Sequence, residues 1–158
     1  MNKSAIAIHP RVGNACGNWI HTARKLFAGS TILRRGRERA FANLRSREAT
    51  IEILMPWTEL MLTAFAIECL IKAIWIKQGH QLAQNGKYVP MIKNERHQLV
   101  PLCRAAGIAL DRREADVLGR ISDIAGSIGR YPIARRASQR KRACSWSSAT
   151  TASLRISF

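Results

Sequence analysis

Acid is scarce in this chain. Asp and Glu together number 10 against 26 Lys and Arg, so 158 residues carry a formal net charge of +16. A surplus of that size favours polyanionic partners over cationic ones. Paired cysteines are missing too. Cys16, Cys69, Cys103 and Cys144 lie far apart, with no CxxC and no close Cys/His pair, which removes the sequence basis for a zinc site. The opening "MNKSAIAIHPRVGNACG" holds only a brief apolar patch, Ala5 to Ile8, before His9 and Pro10. That patch is too short for a secretory signal core, so the cytoplasm is the expected compartment. No stretch alternates with period two for long enough to be a strand, and no internal repeat is visible. No cofactor or metal is expected, and His21 and His80 have no partner in sequence that would suggest a metal site.

What is present is a chain of uneven charge. Residues 1–50 hold ten Lys/Arg against two acids, residues 51–129 nine against eight, and residues 130–158 seven against none. A nearly neutral middle between two basic arms suits a packed core with polyanion-facing extensions. With an apolar fraction of 47%, the length is sufficient for one domain with its own core. Three regions are expected: a flexible lead-in over 1–16, a helical bundle over 17–132, and a basic, Ser/Ala-rich tail over 133–158 that is disordered.

The helices are read from periodicity and punctuation. Trp19, Ala23, Leu26 and Phe27 predict a helix over about 18–33, and Gly29-Ser30 and Gly36 separate it from a second over about 37–54. Pro56 suits the first turn of a third helix, which runs to Gln78 and is closed by Gly79. That helix contains "AFAIECLIKAIWIKQG", apolar except for Glu68 and Lys72, an i,i+4 pair in the favourable order. Burying either charge at the centre of a bilayer costs about 2.5–3.5 kcal/mol, and Glu59 adds to it. The segment therefore reads as the central rod of a bundle, and Glu68–Lys72 as a structural pair that fixes register. A polar loop follows, with Asn85-Gly86 and Pro90 as turn signals. A short helix from Gln98 to Ala106 stops at Gly107, with His97 capping or packing at its start. Asp111 and Glu114 then open a capping-box helix bearing Ala115, Leu118, Ile121, Ile124, Ala125 and Ile128 on one stripe. The fold class is all-α, an up-and-down bundle of four to five helices. Cys69 and Cys103 lie on apolar faces and read as small buried hydrophobes.

The run "RRGRERAFANLRSR" holds six Arg in fourteen residues, Arg34, Arg35, Arg37, Arg39, Arg45 and Arg47, with Glu38 as its single interior acid. They surround much of a helix, so not all reach one ligand, but several can meet phosphates in a salt-dependent, sequence-indifferent way. No aromatic platform of the single-strand-binding type accompanies them. Arg130 at a helix end, and Arg135 and Arg136 in "RRASQRKR", extend the candidate contacts, although Arg130 also suits a helix C-terminus electrostatically. Two readings of the tail stay open: a phosphate-binding arm, or an out-of-frame or recently acquired end. Basic arms resting on anionic lipid are a further alternative.

Phe65 to Gly79, then His97, Leu99, Leu102 and Leu110, then Gly129-Arg130-Tyr131-Pro132 occur in an order that resembles the HEPN-like (higher eukaryote and prokaryote nucleotide-binding) helical domains. The likeness covers about residues 57–132. It implies a helical bundle, a homodimer, and association with RNA in toxin–antitoxin or abortive-infection systems, with an antitoxin or a nucleotidyltransferase as partner. The nucleolytic branch of that family uses an Arg and a polar residue, then a His about four to six positions beyond the Arg. Here Arg130 is followed by Tyr131 and Pro132, and no His follows His97. The resemblance thus implies a binding module without a catalytic residue, its motif residues being Glu68, Lys72, His97, Arg130, Tyr131 and Pro132. Two alternatives remain: a HEPN-type ribonuclease toxin with a diverged or truncated carboxyl end, and a general basic nucleic-acid-binding protein.

Overall fold

The structure is a computed structural model, and it describes residues 11–42 and 55–128. Among these the chain is all-α apart from one small hairpin. The order is α1 (Cys16–Ala42), α2 (Met55–Lys77), β1 (Ala83–Gln84), β2 (Lys87–Tyr88), α3 (Leu99–Ala105) and α4 (Arg112–Asp123), with a π-helical turn, Ile124–Ile128, after α4.

α1 corrects the expected break. It runs for 27 residues straight through Gly29, Ser30 and Gly36. Each interior Gly costs about 1 kcal/mol relative to Ala, but packing outweighs that cost. Trp19, Ala23, Leu26, Ser30, Leu33 and Arg37 recur at alternating steps of four and three and form the buried or half-buried seam. On α2 the matching seam is Glu59, Leu62, Ala66, Cys69, Ala73 and Ile76. Contacts fix the two helices as antiparallel: Ser30 Oγ lies 2.7 Å from Thr63 Oγ1, and Arg37 Nη2 lies 3.1 Å from Glu59 Oε2. Small residues at Ala23, Ala66 and Ala73 let the backbones approach. Phe27, expected on the apolar face, lies off this seam and is 53% exposed.

α2 has the expected extent and is covered on its other side by α3 and α4. Ala64 and Ile71 meet Leu99, Leu102, Cys103, Ala106, Ile121 and Ala125 in the main core. Full burial of a Leu or Ile side chain contributes about 1.5–3 kcal/mol. Gly79, at φ +94°, ends α2 with paired bonds from Gly79 N to Ile76 O and from His80 N to Trp75 O. Gly107, at φ +69°, ends α3 in the same way.

The polar loop holds a hairpin that the sequence reading missed. Asn85 and Gly86, both at positive φ, form the two-residue turn that pairs Ala83 with Tyr88. The start of α3 has no side-chain cap from Gln98; instead Ser122 Oγ accepts Leu99 N at 3.0 Å. Asp111 caps α4 as expected, accepting Glu114 N at 2.7 Å while Glu114 Oε2 accepts Asp111 N at 2.9 Å. The tail, residues 43–54 of the second expected helix and the end of the last helix at Gly129 lie outside the described residues.

Candidate functional site

Two features gather the chemistry-bearing residues: a basic outer face on α1 and a buried ionic cluster beneath the hairpin. On α1 the seam toward α2 fixes which residues face outward. At 100° per residue, His21, Arg24, Lys25, Arg35 and Arg39 fall within about 100° of arc opposite that seam. All five are exposed. From Arg24 to Arg39 the row extends about 22 Å along the axis. No Asp, Glu, Phe, Tyr or Trp of α1 shares the arc, and none of the arc's cations pairs with a carboxylate among the described residues.

The Arg run is therefore divided by the fold. Arg35 and Arg39 join Arg24 and Lys25, which the sequence reading had not singled out, in the outward row. Arg34 is exposed but on a flank. Arg37 turns inward, donating from Nε and Nη2 to Glu59 Oε2 at 3.2 and 3.1 Å, so its charge is satisfied within the hairpin. Arg45, Arg47, Arg130, Tyr131, Pro132, Arg135 and Arg136 lie outside the described residues.

The second feature is built around Lys72. Its Nζ lies 2.6 Å from Glu68 Oε1 and 2.7 Å from Glu95 Oε1, and the rings of Trp19 and Tyr88 stand 5.3 and 5.2 Å from it. Glu68 Oε2 lies 2.7 Å from His97 Nδ1, and Tyr88 Oη donates to Glu95 Oε1 at 2.7 Å. Met91 N donates to Glu95 Oε2 at 2.9 Å. The residue that bridges α2 to the loop is thus Glu95, the lone acid between Glu68 and Asp111. His97, just before α3, sits at φ +58° with its ring tilted against Phe65, centroids 4.9 Å apart.

These environments shift the titrations. Burial alone would lower the Lys72 pKa, but hydrogen bonds and charge from Glu68 and a hydrogen bond from Glu95 reverse that and raise it well above the ordinary lysine value. Burial pushes the Glu95 carboxyl up, while bonds from Lys72, Tyr88 and Met91 N bring it below its usual value. Burial, then the bond to Glu95, raises the Tyr88 phenol to about 12. The thiols of Cys69 and Cys103 are also raised, chiefly by burial. Lys72 and Glu95 thus each favour the charged form of the other. The cluster is suited to tying segments together.

Residues 11–15, placed by the sequence reading in the lead-in, join the same scaffold. Asn14 Oδ1 accepts Leu82 N and Ala83 N at 2.8 and 2.9 Å, and its Nδ2 donates to Ala83 O at 2.7 Å. Trp19 Nε1 donates to Gly13 O at 2.7 Å. Every buried side-chain N and O among the described residues has a hydrogen-bond partner. None of their His, Cys, Asp and Glu side chains gather in threes suited to a metal ion, and none of their helices is long and apolar enough to cross a membrane.

The class these features define is an all-α bundle locked by an internal ionic cluster, with a basic helix on its outside. No protein-family model, no curated protein and no solved structure matches the chain.

Proposed function

We propose that this chain is a HEPN-like helical binding module of the RNA-associated, defence-related kind, without a nuclease site. The observation that carries the reading is the outward row of Arg24, Lys25, Arg35 and Arg39, exposed, in line and unanswered by acid among the described residues. Cations held this way meet phosphates by charge alone, and binding of that kind weakens steeply with salt. The Arg37–Glu59 pair and the Ser30–Thr63 contact hold α1 against α2. The lack of a His beyond His97 supports a binding role over hydrolysis. The working compartment in this reading is the cytoplasm, and the partner is RNA.

The test is a mobility-shift titration of the full chain with a structured RNA, read alongside the integrity of that RNA. A retarded, intact RNA is expected, with the shift weakened when Arg24, Lys25, Arg35 and Arg39 are all changed to Gln. A wild-type protein that leaves the RNA unshifted contradicts the proposal. RNA that is degraded, with degradation abolished by Arg130→Ala, supports the ribonuclease alternative instead.

A further inference from the structure

We infer that the outer face of α1 selects double-helical RNA over single strands, and reads rows of phosphates rather than bases. This rests on the RNA-binding reading above and adds the form of the nucleic acid. Proteins that hold single strands combine a basic groove with aromatic side chains, and each stacked base contributes about 1–3 kcal/mol. The α1 face has no Trp, Tyr or Phe: Trp19 is turned to the opposite, α2-facing side, where its Nε1 is bonded to Gly13 O, Phe27 lies on a flank outside the cationic arc, and the single imidazole of His21 stands at one end of the row. Nor does it form a groove. It is the solvent-facing side of one helix, and the exposed residues between its cations, Ala28 and Ile32, offer neither donor nor acceptor side chains for base edges.

What remains is the phosphate contribution, and that depends on charge density. Each cation that neutralises a phosphate steepens the log–log salt dependence by about 0.9 on a duplex and about 0.7 on a single strand. For the four cations of the row, the difference amounts to about sixfold in affinity at 0.1 M monovalent salt, in favour of the duplex. The rigid row also matches a rigid rod, whereas a flexible strand loses conformational freedom in order to follow it.

The experiment measures fluorescence anisotropy of labelled RNA with the full chain across a salt series. The probes are a 20-base-pair RNA duplex, a 20-nucleotide oligouridine and a DNA duplex of equal length. The comparison protein carries Arg24→Gln, Lys25→Gln, Arg35→Gln and Arg39→Gln, all at exposed positions, and its thermal melt is checked against wild type. Because basic residues elsewhere bind both forms, the readout is the change between the two proteins. The variant should lose about 3.6 from the salt slope on the RNA duplex, and its duplex preference should fall about sixfold. Equal losses on duplex and single strand overturn the duplex inference and leave the RNA-binding reading standing. No loss on either RNA overturns both, and so does binding of the DNA duplex with none of the RNA duplex.

Discussion

Lys72 is the residue on which the interior depends. It compensates Glu68 and Glu95 together, and all three side chains are at most 10% exposed. Lys72→Met keeps the volume and strands two carboxylates, so it should cost about 3–5 kcal/mol at pH 7 by chemical denaturation. Glu95, whose folded pKa is depressed, contributes stability that is present above its ordinary value of 4.5 and is lost as pH falls through the lower folded value. Glu95→Gln should therefore destabilise at neutral pH, and the gap to wild type should close as the solution is acidified. A gap that stays constant down to pH 2 would count against the Glu95–Lys72 bond. Backbone space is equally restricted at Gly13, where an added Cβ would meet the Cβ of Ala83 at 2.6 Å. Gly13→Ala should cost about 1–3 kcal/mol in the same assay. Half of the Lys72 cluster is legible from sequence, because Glu68 and Lys72 are one helical turn apart. Glu95, Tyr88 and Trp19 are not, since loop residues carry no periodicity that says which way they turn. The clue was composition: one acid in a loop that also carries Lys87, Lys93 and Arg96.

Elements were most legible where punctuation and packing agree. α2 and α4 have Pro56, Gly79 and the Asp111–Glu114 box at their ends, and these work locally whatever surrounds them. Asp111→Ala should cost about 1 kcal/mol, read from the denaturation midpoint, because the backbone N–H of Glu114 loses its acceptor. In α1 punctuation and packing disagree. Gly29 and Gly36 lower the local propensity, but the continuous seam from Trp19 to Arg37 against α2 decides the outcome, and that seam is visible only when both helices are known. The hairpin shows the limit from the other direction. Its Asn85-Gly86 turn was read correctly, while the two-residue strands beside it are too short to display an alternation.

For the molecule as a whole, charge is sorted by depth. Its acids are few, and three of them, Glu59, Glu68 and Glu95, are committed to internal cations, which leaves the outer face of α1 strongly positive. That division could not be read from the Arg run alone, because the seam with α2 determines that Arg37 faces inward while Arg35 and Arg39 face outward. The most direct check on the account is amide and side-chain NMR of the full chain titrated with the RNA duplex in low salt. Shifts should concentrate at His21, Arg24, Lys25, Ala28, Ile32, Arg35 and Arg39, while Lys72, Glu95 and Tyr88 stay unmoved. Shifts centred on the hairpin and the Lys72 cluster, with α1 silent, would contradict it.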